Sequence, residues 1–145
     1  MDFYNIIQHA HSGFRYAVIV FLILAIIQSV IGAAGKRPYT NGNRIINMLA
    51  MIFTHTQLLI GIVLYFISPM VQFTSDTMKN PTLRYFAVEH WFGMLIAVAL
   101  ITIGHSKSKK IVQPEIKHRT IAIYYVIALT VVVGTLIMGH IPVLK

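Results

Sequence analysis

"YAVIVFLILAIIQSVIGAA", residues 16 to 34, carries no charged side chain from end to end. A helix crosses the hydrocarbon core of a bilayer with about 20 predominantly apolar residues, so this run reads as a transmembrane span. Three similar runs follow: "IINMLAMIFTHTQLLIGIVLYFIS" at 45–68, "FAVEHWFGMLIAVALITIGH" at 86–105 and "TIAIYYVIALTVVVGTLIMGHI" at 120–141. The first run exceeds the roughly 7–15 apolar residues of a secretory signal and lacks a preceding basic segment, so it is expected to be retained. Residues from Tyr4 onward are expected to extend its helix into the headgroup layer.

Composition agrees with that reading. Hydrophobic residues make up 57% of the 145 residues and charged ones only 11%. A soluble domain carries roughly 25% charge, so this chain could not cover a globular surface. The length suits one domain, residues 1–145. The formal charge is +8, which in a soluble protein would suggest nucleic acid, but no soluble basic module remains to bind it. There is no cysteine, which excludes disulfides, iron–sulfur clusters and covalent haem attachment.

The cations are unevenly placed. "GKRPYTNGNR" and "SKSKKIVQPEIKHR", the first and third connections, hold Lys36, Arg37, Arg44, Lys107, Lys109, Lys110, Lys117 and Arg119, while Arg15, Lys79, Arg84 and Lys145 lie on the other side. Eight against four puts those connections in the cytoplasm and both termini outside. Short connections favour neighbouring antiparallel helices. The expected fold is all-α: an integral membrane four-helix bundle, antiparallel and up-down-up-down.

Seven histidines in so apolar a chain ask for a reason. Ionisable groups inside a bilayer are costly and face the bundle interior or a cavity. With a rise of about 1.5 Å per residue, His55 falls near the midplane and His90 roughly 8 Å toward the outer side. His140 and then His11 lie further out, and His105 lies near the cytoplasmic face. His118, in the basic connection, is expected to be solvated or near headgroups. His90, Gly93, Met94, Ala97, Ile101 and His105 share one side of span three. Gln57 and Gly61 share a stripe in span two, with His55 about 160° away on a helix of 3.6 residues per turn. In "HAHSGFRY", residues 9–16, His11 and Arg15 stand four apart on one face. The structural alternatives are plain: Gly61, Gly93 and Ala97 suit close helix packing, and Tyr16, Tyr65, Tyr85 and Trp91 suit interface anchors.

Three chemistries fit histidines on facing helices. Non-covalent haem b needs two imidazoles from different helices, with an arginine such as Arg15 to meet a propionate in a bidentate fork. A zinc or copper site could draw on His9, His11, Glu89, His90 and His140 on the outer side. A proton path could use Glu89 and the histidines, although span four offers no mid-membrane ionisable group. No nucleophile–base constellation and no phosphate loop is present, so an electron carrier or a subunit is expected rather than a self-contained enzyme.

"HSGFRY", "THTQLLIGIVLYFISP", "VEHWFGM" and "ITIGHSKSKK" together resemble the small bacterial four-helix membrane proteins labelled cytochrome b. The similarity extends from His9 to the start of span four, and "MGHIPVLK" departs from the family's aromatic ending. The resemblance implies the bacterial cytoplasmic membrane and points to His11, Arg15, His55, Gln57, Glu89 and His90. His11, His55 and His90 are the expected haem ligands, with His11 and His90 the easier pair by depth. His105 and His140 are secondary candidates. The expected role is one-electron transfer between a quinone pool and a partner, and the expected partners are the lipid bilayer, quinone and other membrane redox subunits or a homo-oligomer. The competing role is a haem-free zinc- or copper-binding protein, or a structural subunit of a larger membrane complex.

Overall fold

The computed structural model describes residues 2–69 and 71–139. Four long helices account for most of them: α1 (Phe3–Ala34), α2 (Asn41–Ile67), α3 (Pro81–Lys110) and α4 (Pro114–Met138). No strand occurs among the described residues. Each helix is long and apolar enough to span a bilayer, and the chain is a multi-pass, all-α membrane bundle.

Local chemistry sets the helix ends. Asp2 caps α1 by accepting the Asn5 N–H at 2.8 Å. Thr40 and Asn43 form a reciprocal capping box at the start of α2. The third connection is shorter than its sequence suggests. "SKSKK" completes α3 and "PEIKHR" opens α4, leaving 111–113 to join them. Pro114 is pre-shaped for the first turn of a helix, and Lys107, Lys109 and Lys110 suit the negative C-terminal end of α3.

The helices pack in the cyclic order α1–α2–α3–α4, so α1 and α3 face each other across the diagonal. The seam between α2 and α3 is the loosest. Leu22, Ala25, Ala50, Ala97, Ile101, Ile121, Tyr125 and Ala128 form the centre of the core. Outward, Val20, Leu24, Ile27, Leu59, Phe66, Ile123 and Ile127 stay exposed. An apolar patch of that extent marks a surface made for lipid rather than water.

A polar cluster ties α1, α2 and α4 together near the end that carries the first and third connections. The Gln28 amide donates to the Asn43 carbonyl at 2.9 Å and to Asn47 Oδ1 at 3.0 Å. Asn47 Nδ2 donates to the Tyr39 hydroxyl, and the Tyr125 hydroxyl donates to the Asn47 carbonyl at 2.8 Å. Burial pushes the Tyr39 hydroxyl above its ordinary pKa, with the Asn47 hydrogen bond and the Arg44 charge opposing.

His118 corrects the sequence expectation. It is 1% exposed, inside α4, where its Nε2 proton goes to the Pro38 carbonyl at 3.2 Å. Because α4 starts at Pro114 rather than near 120, His118 joins the buried stripe Ile121, Tyr125, Ala128, Val132 and Thr135 at spacings of three and four.

Candidate functional site

The buried stripe of α1 runs Val18, Leu22, Ala25, Ser29 and Gly32, alternating steps of four and three. Continued backward, the same steps reach Arg15 and then His11. The stripe of α3, Ala97, Ile101, Gly104 and Ser108, continues backward through Met94 to His90. Both histidines therefore extend inward-facing stripes on diagonal helices, at the end of the bundle where α1 begins. Their ring centres lie 6.3 Å apart, with the planes inclined at 78°.

His90 follows a π turn, Tyr85–Glu89, in which the His90 N–H reaches the Tyr85 carbonyl. Single π turns inside α-helices recur at functional sites. In an α-helix, residues five apart diverge by about 140°, but here Tyr85 and His90 meet. The Tyr85 hydroxyl lies 3.1 Å from His90 Nδ1 and 2.8 Å from the Thr135 carbonyl. A phenol has one proton and a carbonyl only accepts, so that proton goes to Thr135. The tyrosine oxygen must then accept from His90 Nδ1–H. The neutral ring is left with its lone pair on Nε2, the nitrogen free to ligate or to take a proton.

Tyr85 suits an interface anchor by its place in the sequence, yet it is 3% exposed and packs inside the bundle. Tyr65 and Trp91 also have specific work, both donating to the Ala87 carbonyl within the π turn, at 2.7 and 2.6 Å. No helical periodicity predicts this arrangement, because it exists only once the π turn has formed.

Around His11 the polar atoms are incompletely paired. Gln57 Nε2 donates to the His11 carbonyl at 2.8 Å, fixing α1 against α2. Gly61 lies under the imidazole, where an added Cβ would come within 3.3 Å of His11 Cε1. His11 Nδ1, Gln57 Oε1 and Arg15 Nε are buried with no hydrogen-bond partner. The Arg15 guanidinium lies over the Tyr16 ring, 5.1 Å from its centre. Buried polar atoms are nearly always paired with protein, water or a bound group, and three without a protein partner surround His11.

The other candidates stand apart. His55 Nε2 lies 2.8 Å from Thr102 Oγ1, which itself donates to the Val98 carbonyl at 2.8 Å. By the same proton count His55 donates through Nε2, so that nitrogen is committed across the α2–α3 seam. The angular split expected within span two holds, with Gln57 and Gly61 toward His11 and His55 elsewhere. His105 is 2% exposed, with both ring nitrogens unpartnered, fifteen residues along α3 from His90. Glu89 is engaged by Arg84 Nε at 2.7 Å. His9 is exposed, and His140 lies outside the described residues. Among the described residues no three of His, Cys, Asp or Glu gather as a metal site.

His11 and His90 are the residues that would hold a group taking two imidazoles, with His90 Nε2 unencumbered. Arg15 adds a cation beside the pair. The residues thus fit a group that takes two imidazoles and carries an acidic substituent. Comparisons with family models, with known proteins and with solved structures give no match for this chain.

Proposed function

We propose that this chain is a b-type-cytochrome-like electron carrier of the bacterial cytoplasmic membrane, in which His11 and His90 hold one non-covalent haem b. The observation that carries this reading is the pair of imidazoles on diagonal helices, 6.3 Å apart, with His90 Nε2 left bare by the Tyr85 contact. Haem, when bound, supplies a reversible one-electron couple exchanging with a quinone pool and a partner redox protein. The protein's own residues bind and orient. Tyr85 fixes the ring and tautomer of His90, Gln57 holds the backbone at His11, and Arg15 offers its fork to a carboxylate.

Dithionite-reduced protein, purified after expression with haem supplied, is expected to show sharp Soret and α bands. Their absence overturns the proposal. Tyr85→Phe keeps the ring but removes the oxygen that accepts from His90. Loss of such an outer partner weakens binding about 10–100-fold, so lower haem retention at unchanged protein yield is expected. Retention equal to the parent's would remove Tyr85 from this role.

We also propose that the first and third connections face the cytoplasm, on the strength of their eight cations. Val112, 86% exposed between α3 and α4, offers a test in a chain without cysteine. In Val112→Cys an impermeant maleimide is expected to label opened membranes and spare intact cells. Labelling of intact cells reverses the orientation.

A further inference from the structure

At the end of the bundle remote from the histidine pair, a cavity of about 440 Å³ opens between α1, α2 and α4. Gln28, Gly32, Arg37, Pro38, Asn43 and His118 are among the residues lining it. Its walls are built from constrained parts. Lys36 has φ of 50°, a left-handed conformation that non-glycine residues adopt infrequently. That bend returns the Arg37 N–H to the Gly32 carbonyl at 2.9 Å and closes α1. Opposite, the buried His118 holds Pro38 through Nε2, and its Nδ1 has no partner. A Cβ on Gly32 would lie 2.5 Å from His118 Nε2, so only glycine admits this ring.

The charge around the cavity is one-sided. Lys36, Arg37, Arg44, Lys107, Lys109, Lys110, Lys117 and Arg119 share this end with one acid, Glu115. Several polar groups are already engaged. Gln28 and Asn43 bond each other, Arg44 bonds Asn41, and Lys117 donates to the Ser108 carbonyl. The Arg37 side chain has neither a hydrogen bond nor an ion pair among the described residues. The only ion pair among them, Arg84–Glu89, connects residues at the other end of α3. A preference for cytoplasmic cations accounts for the number of charges. It does not account for a cavity with a free guanidinium on its wall.

We infer that this cavity seats the phosphodiester headgroup of an anionic glycerophospholipid, with Arg37 as its bidentate donor. The cavity stands where the transmembrane helices end, at the depth of headgroups, and Ile31 on its wall is 47% exposed and apolar. Basic pockets between transmembrane helices hold such headgroups, and the planar guanidinium fork matches two phosphate oxygens.

The test is native mass spectrometry of the full chain released from nanodiscs of equal phosphatidylglycerol and phosphatidylcholine. Phosphatidylglycerol is expected to be retained preferentially. Arg37→Gln should weaken that retention about fivefold, the scale of one basic group at a membrane surface. Lys110→Gln removes the same charge from an exposed position outside the cavity and should weaken retention less than Arg37→Gln does. Equal retention of both lipids, or equal losses in the two variants, overturns the inference. Displacement of the lipid by millimolar inorganic phosphate would assign the cavity to a free anion and overturn the lipid.

Discussion

His90→Ala is expected to insert and fold as a bundle yet to lose the reduced haem spectrum altogether. The imidazole stands on the inward stripe of α3 with Nδ1 spent on Tyr85, so Nε2 is the one nitrogen it can offer, and alanine offers none. His11→Ala should behave in the same way, since its ring is the one facing His90 at 6.3 Å. His55→Ala should retain the spectrum, because His55 Nε2 is committed to Thr102. His9→Ala should retain it as well, its side chain being exposed and off the stripe. Absorption of each reduced variant at equal protein concentration measures this. A normal spectrum from His90→Ala would remove the pair from the proposed site, and a loss confined to His55→Ala would move the ligand to α2.

Gly104→Ala is the second large effect, and it concerns the bundle rather than a cofactor. A Cβ at Gly104 would lie 2.4 Å from Cβ and 2.8 Å from Cγ of Tyr124. Tyr124 Cβ is fixed to the backbone of α4, so no rotamer change removes the overlap and the two helices must separate. Overpacking of this kind costs about 1–3 kcal/mol, against about 1 kcal/mol gained from replacing glycine inside a helix. A net loss of up to about 2 kcal/mol is expected, read as unfolding at lower denaturant. Gly134→Ala is the matched control, since nothing lies within 4 Å of its added Cβ, and it should be neutral or stabilising. Equal stability of the parent and Gly104→Ala would show that α3 and α4 are not held so closely.

Membrane insertion, helix number and the all-α class were legible in the sequence. They depend on run length and on the exclusion of charge from hydrocarbon, which are properties of each segment alone. The inward position of His11 and Arg15 was partly legible, through their four-residue spacing and the angular split of His55 from Gln57. His118 reads as a loop residue for a local reason. Its basic neighbours read as a loop, whereas Pro114 opens a helix and the stripe from Thr135 back to Ile121 reaches His118 at its next step.

Tertiary structure decided the rest. That His11 meets His90 depends on α1 and α3 being diagonal, a consequence of how four faces close on one another. That His90 presents Nε2 depends on a π turn and on a carbonyl of α4, fifty residues further along the chain from Tyr85. A sequence gives each residue its chemistry and its phase on a helix. Helix phase is local, fixed by 3.6 residues per turn, whereas the pairing of faces and the choice of a ring's proton belong to atoms brought together only by folding.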